Sequence, residues 1–404
     1  MHIPVVGIVA EYNPFHLGHL RHLQLAREHS QAEAVVAVLS SDFVQRGEPA
    51  MLDKWTRAKA AAACGADLVL ELPAVFSCHN AGVFANAAID ILGSTGVVTH
   101  VSFGVESADW DMHKVIDILI EEPQPFKHLL KEYLKNGYSF VEARALALDE
   151  LVPGSAQRLR GSNNNLALSY MTRIKQKNWP LTPVPVERRG SAYNDMEISP
   201  IASAAAVRKA LAGGRTETAL AQTPPQSAEI IANALKTGRS CLDCNSFWAL
   251  LRAVLLRAKP EELAGYAEIG EGIEHKLKEA ALSAKSFEEW TAACTSKRYP
   301  ASRIRRHGVH ILLGLGHWQN RSFQRLGPAY IRPLAMNGIG RKLLHIMRAN
   351  SLLPVITKCG AAAQISSYAA AIMNYELTAC ELWEQTLAAG EFGVEHARKA
   401  SIGE

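Results

Sequence analysis

Apolar runs alternate with amphipathic stretches through the first hundred residues. VVGIVA at 5–10 is short and rich in β-branched residues, and reads as a buried strand. Leu17, Leu20, Leu23 and Leu25 follow at close to helical spacing and predict a helix over 17–28. EAVVAVLS at 33–40 is a second apolar strand, ADLVLELP at 66–73 a third and VTHVSFG at 98–104 a fourth, with helices expected over 54–64 and 81–92. This rhythm predicts a parallel sheet with helices on both faces, a Rossmann-like α/β body. Ligands in such sheets sit at the carboxyl ends of the strands. The turn after the first strand, the loop DFVQRGEPAM after the second and Gly104 after the fourth all fall at that edge.

From about residue 202 the strand signals fade. Helical patterns at 223–235, 247–257 and 303–315 predict a mainly α region. The expected division is therefore 1–201, α/β, and 202–404, helical. Two or three domains suit 404 residues.

Charge changes this picture. The net charge is only +4, but no Asp or Glu occurs between Glu289 and Glu376, a stretch with twelve Lys and Arg. Single-sign charge over that length points to a polyanion partner, with Lys297, Arg298, Arg303, Arg305 and Arg306 near its centre. Tyr299, Trp318, Phe323 and Tyr330 are interleaved, either as stacking platforms or, more commonly, as core. The N-terminal apolar run is too short to span a membrane and lacks a basic leader, so a cytoplasmic protein with no membrane partner is expected. Of seven cysteines only Cys241 and Cys244 form a CxxC, half of a zinc knuckle, so reduced thiols and no structural metal are expected.

The candidate chemistry lies in EYNPFHLGHLRHL at 11–23. His16 and His19 fall at the turn and in the first helical turn, three apart and on one face. A helix start offers free N–H groups and a positive dipole end, which suits phosphate. Gly18 between the histidines lets a ligand approach the backbone. There is no GxSxG elbow and no Walker sequence.

His16-Leu17-Gly18-His19 resembles the HxGH motif of the nucleotidyltransferase superfamily. GIVAEYNPFHLGH, FVQRGEPAMLDKWTRA, GADLVLELP, SFGVES, NNNLALSY, RRGSAYND and KRYPASRIRR resemble, in order, segments of the bacterial tRNA(Met) cytidine acetate ligase family, over residues 3 to about 345. The resemblance implies ATP-dependent activation of acetate to acetyl-adenylate. The acetyl group then passes to the exocyclic amine of the wobble cytidine of elongator tRNA(Met), giving N4-acetylcytidine. It implies nucleotide contacts along Gly7, Ile8, Val9, Ala10, Glu11, Tyr12, Asn13, Pro14, Phe15, His16, Leu17, Gly18, His19 and Leu20, and at Gly104, Asn163, Arg188 and Arg189. It implies a helical tRNA-binding region and Mg2+ accompanying ATP.

The chemistry suits the residues. Carboxylate attack on the α-phosphorus needs preorganised donors at the phosphate oxygens, which His16 and His19 can supply. Arg46, Lys54, Arg188, Arg189 and Arg208 are available to the triphosphate, and Ser203 offers a hydroxyl. Asn163 to Asn165 serve equally well as a helix cap. Two departures from the family pattern stand out: Asp42 in the loop before QRGEP, and Ala205-Ala206 where a small-residue and threonine stretch is usual. Asp42 and Asp195 read as polar loop residues. Two other readings remain open: a nucleotidyltransferase acting on a small-molecule phosphate, and a non-catalytic RNA-binding protein with a vestigial nucleotide site.

Overall fold

The computed structural model describes residues 4–106, 111–159, 161–187 and 202–403. Four expected strands form: β1 (Val5–Ala10), β2 (Ala34–Ser40), β5 (Leu68–Leu72) and β6 (His100–Val105). Between β2 and β5 lies a two-stranded hairpin, β3 (Phe43–Val44) with β4 (Glu48–Pro49). The hairpin falls where a loop was expected, and three further strands were not expected: β7 (Thr182–Glu187), β8 (Pro333–Met336) and β9 (Ser401–Ile402). The main sheet runs β7-β6-β1-β2-β5-β8-β9. Its first five strands are mutually parallel, and β8 lies antiparallel to β5. β2 and β5 are buried along their whole length, as their mainly apolar runs require, with Glu71 the one charged residue of β5. β7 carries two prolines and survives because it is an edge strand.

The chain proceeds from β1 to β2 and β5 on one side, then crosses to β6 and β7 on the other. The order reverses between β1 and β6, where an open α/β sheet presents a crevice.

The helices Leu17–Ser30, Lys54–Ala63 and Ala81–Ser94 lie where the periodicity placed them. The region after residue 202 is mainly helical, as expected, yet β8 and β9 come from it and complete the sheet. One apolar core runs from Val5 to Trp383. The sheet therefore takes strands from both halves of the chain: the chain leaves the α/β body, builds a helical segment and returns. Among the described residues, no helix is long and apolar enough to cross a membrane.

Candidate nucleotide site

A cleft of about 680 Å³ opens at the reversal point. β1 and the turn after it contribute Ile8, Val9, Ala10, Glu11, Tyr12 and Asn13, and β6 contributes Phe103 and Gly104. His16, His19 and His22 line it from the Leu17–Ser30 helix and its cap, and Asn163 from the start of the Ser162–Lys177 helix. Gln45, Arg46, Glu48 and Pro49 enter from the hairpin, and Ser203, Ala204, Ala205, Arg208 and Lys209 from the Ala204–Ala212 helix.

His16 is the N-cap of its helix, with extended backbone, and its Nδ1 accepts the Gly18 N–H at 3.0 Å. The His16 N–H in turn donates to His19 Nδ1 at 3.3 Å. Both Nδ1 atoms accept from backbone, so each neutral ring carries its proton on Nε2. The rings lie 3.8 Å apart between centroids. Capping the helix and preparing two side-chain donors are therefore one arrangement.

The hairpin is anchored from both sides. Arg208 donates to the Asn13 carbonyl at 2.7 Å and to Glu48 Oε1 at 3.0 Å. Arg305 reaches Glu48 Oε2 at 3.3 Å. Gly47 has φ +78°, and a Cβ there would stand 2.3 Å from the Arg306 nitrogen, so the QRGEP turn fits under the Ala301–Leu312 helix only as glycine. Ser203 caps the Ala204–Ala212 helix by accepting the Ala206 N–H at 3.2 Å, leaving Ala204 and Ala205 facing the cleft. This helix start suits anionic oxygens, and small residues there admit them to the backbone. On the opposite wall, Glu106 accepts the N–H groups of Asn163 and Asn164 at 3.0 and 2.8 Å and so caps the Ser162–Lys177 helix.

Other candidates lie elsewhere. Gly7 packs against Leu92 and Val98 beneath the cleft. Pro14, Phe15, Leu17, Gly18 and Leu20 are outside its lining. Lys54, expected at the triphosphate, is fully buried away from the cleft, where its Nζ lies 2.5–3.0 Å from Glu71, Glu376 and Glu395. The sequence signal misled because a lysine opening a helix looks exposed, and its carboxylate partners are remote in sequence. Asp42 is likewise no polar loop residue beside phosphate. It is buried, accepts the Lys54 N–H at 2.5 Å, and burial pushes its carboxyl up to about 7. Arg188, Arg189 and Asp195 lie outside the described residues. Lys209, His22 and Tyr170 line the cleft without having been singled out; Lys209 could have been found from its place directly after Arg208 on the helix that Ser203 caps.

The basic stretch is also redistributed. Arg305 faces the cleft, Arg306 donates to the Gln45 carbonyl at 3.4 Å, and Arg298 pairs with Glu271. Arg303 lies over the Tyr299 ring at 4.6 Å, and Arg332 is buried with Glu71 and Glu395. Acid-free sequence is thus not an acid-free surface, because other segments bring carboxylates to it. Lys297 is exposed, as are Arg321 and Arg325. Tyr299, Phe323 and Tyr330 are core, whereas Trp318 is 75% exposed.

Among the described residues, the one cluster with metal-ligand spacing is Asp42, Glu376 and Cys380; it lies against Lys54 rather than in the cleft, Glu376 and Cys380 at the ammonium and Asp42 at the backbone N–H. Of the carboxylates lining the cleft, Glu48 is committed to arginines, Glu11 accepts the Gln45 N–H, and Asp243 and Glu288 are exposed; among the described residues they form no metal-spaced group, so the walls fit Mg2+ as an ion carried by the phosphates and water. Cys241 and Cys244 are free thiols, and burial pushes Cys241 up to about 11.

The HIGH Nucleotidyl Transferase family profile matches residues 3–395. The tRNA(Met) cytidine acetate ligase of Thermoanaerobacter sp. (strain X514) is 37% identical over 358 residues, 88% of each chain. That of Syntrophomonas wolfei is 36% identical over 360 residues, 88% of this chain and 86% of its own. Two crystal structures of Thermotoga maritima TmcAL are 29% identical, each covering 99% of this chain and 100% of their own. The apo form superposes with a TM-score of 0.95, and a form bound with alpha-thio ATP with 0.92.

Proposed function

The chain belongs to the HIGH nucleotidyl transferases and, among them, to the tRNA(Met) cytidine acetate ligase family, and from that premise we propose that the cleft is its adenylation site. In this reading the enzyme uses ATP to convert acetate to acetyl-adenylate, releasing pyrophosphate. It then transfers the acetyl group to the exocyclic amine of the wobble cytidine in elongator tRNA(Met). The observation that carries the reading is the histidine pair. Backbone N–H groups hold both Nδ1 atoms, so both Nε2–H groups are preset as donors in the cleft. As acetate attacks the α-phosphorus, charge builds on the equatorial oxygens and on the departing pyrophosphate. Donors oriented beforehand stabilise that charge without reorganising.

The start of the Ala204–Ala212 helix, with Arg208, Lys209 and Arg46 nearby, is the proposed seat of the β- and γ-phosphates. Arg46, Arg208 and Lys209 would hold the triphosphate, and Mg2+ bound with it would supply further charge neutralisation. Acetate and the cytosine amine are themselves the nucleophiles, so no side-chain nucleophile is required.

For the tRNA we propose exposed cations of the 290–375 stretch, chiefly Arg321 and Arg325 beside Trp318, with Lys297. The deciding experiment incubates the protein with ATP, labelled acetate and total tRNA, digests the RNA and looks for labelled acetylcytidine. Label that appears from acetyl-coenzyme A but not from acetate plus ATP would overturn the ligase reading.

A further inference from the structure

Transfer to cytidine poses a problem that adenylation does not. The lone pair of the cytosine amine is delocalised into the ring, and its nitrogen becomes strongly acidic only as it bonds to the acetyl carbon. A base must take that proton, whereas the leaving group, AMP, departs through a phosphate oxygen and needs no acid. The cleft should therefore hold one sheltered base. Neither histidine of the pair qualifies, because each presents Nε2–H to the cleft.

Four carboxylates line the cleft: Glu11, Glu48, Asp243 and Glu288. Glu48 spends one oxygen on Arg208 and the other on Arg305. Asp243 and Glu288 are exposed at the rim, and Asp243 already accepts the Asn245 N–H at 2.8 Å. Glu11 differs from all three. It stands at the carboxyl end of β1, five positions before His16, and Oε1 accepts the Gln45 N–H at 3.0 Å. Among the described residues, Oε2 meets no hydrogen-bond donor.

We propose that Glu11 is the general base of the acetyl-transfer step and the group that recognises the cytosine amine, an inference that rests on the acetate ligase reading above. Glu11 Oε2 accepts one N4–H of the bound cytidine. As N4 bonds to the carbonyl carbon of acetyl-adenylate, that proton passes to Oε2. The tetrahedral intermediate then collapses, the bond from carbon to the phosphate oxygen breaks and AMP leaves. Glu11 returns its proton to solvent. A carboxylate is also the natural partner of a cytosine amine, and it repels the O4 acceptor that uridine presents in its place.

The surroundings tune the group. Burial raises its carboxyl above the usual range, while the Gln45 amide, Arg208 and Arg46 lower it and Glu48 raises it. Arg57 touches only the Glu11 carbonyl, at 2.7 Å. A base works best when its pKa approaches the operating pH.

The test bypasses ATP. Wild type and Glu11→Gln are each given synthetic acetyl-adenylate and a tRNA(Met) transcript in single turnover, across acidic to neutral pH. Glutamine keeps the acceptor for the Gln45 N–H, so the fold at this point is preserved. Transfer by Glu11→Gln is expected to be about 10²- to 10⁴-fold slower, the usual contribution of a general base. The fall in wild-type rate on the acid side, where Glu11 protonates, should vanish in the variant. A variant that matches wild type, or that is slower but keeps the same acid limb, overturns the role of Glu11. If wild type itself makes no acetylcytidine from acetyl-adenylate, the acetylation reading fails, and this proposal with it.

Discussion

Lys54 Nζ sits 2.5 Å from Glu376 Oε1, across 322 positions of the chain. Glu71 and Glu395 lie 2.7 and 3.0 Å from the same nitrogen, and Arg332 reaches both at 3.1 and 2.9 Å. Removing the lysine leaves buried carboxylates facing one another with a single arginine between two of them. Lys54→Met is expected to cost about 3–5 kcal/mol, as breaking a buried ion pair does. Chemical denaturation should show an earlier midpoint. A normal midpoint with weakened ATP binding would return Lys54 to the phosphate site.

For the histidine pair the expected loss is chemical. His19→Ala should reduce acetate-dependent exchange of pyrophosphate into ATP by about 10²–10³-fold, the effect of losing one transition-state donor. His16→Asn keeps an N-cap acceptor for the helix, so its loss of exchange would report the imidazole rather than unfolding. Exchange at wild-type rate in both variants would remove the pair from the mechanism.

A second histidine cluster predicts how stability depends on pH. His79, His307 and His310 are buried where the Ala301–Leu312 helix meets the turn before the Ala81–Ser94 helix. Burial lowers His79 to about 4 and His307 to about 3, and lowers His310 as well. His310 and Arg306 reinforce the lowering at both His79 and His307, Arg303 adds to it at His307, and Glu268 opposes it. The unfolded chain binds these protons near the ordinary imidazole value of 6.5, while the folded chain refuses them until lower pH. Stability is therefore fully present above that value and lost as pH falls toward the folded values, by up to about 1.4 kcal/mol per pH unit for each histidine. Melting temperature measured against pH should fall below neutrality, and His307→Gln should flatten the fall. An unchanged slope in that variant would sink the assignment.

The alternation of apolar runs revealed the central strands because β2 and β5 are buried on both faces, a condition local sequence reports directly. It missed β8, whose four residues begin with Pro333, and β7, whose prolines imitate a loop. The histidine pair was legible because one short segment carries both the helix cap and the chemistry. Lys54 and Asp42 were misread because their environment is assembled from Glu71, Glu376 and Glu395, which no local window contains. Charge is redistributed for the same reason. Arg305 and Arg306 stand in an acid-free segment, yet Glu48 and Gln45 from the first half meet them.

The proposed tRNA surface rests on what remains exposed. On the His317–Leu326 helix, Asn320 and Phe323 are buried and face inward. Trp318, Arg321 and Arg325 recur at helical spacing on the other side, all exposed. The Arg321 guanidinium lies 5.6 Å from the Trp318 ring centroid, so the ring and the charge form one patch. An indole this exposed gains nothing from the core and offers a flat face to an unpaired base. Stacking of that kind is worth about 1–3 kcal/mol. Each arginine on a phosphate should contribute about one to the slope of affinity against salt. Trp318→Ala should therefore weaken binding of a tRNA(Met) transcript roughly tenfold or more with little change in salt slope. Arg321→Ala with Arg325→Ala should weaken it and flatten the slope by about two. Filter binding at several salt concentrations separates the two effects. If both variants bind tRNA as wild type does at every salt concentration, this face is not the RNA surface.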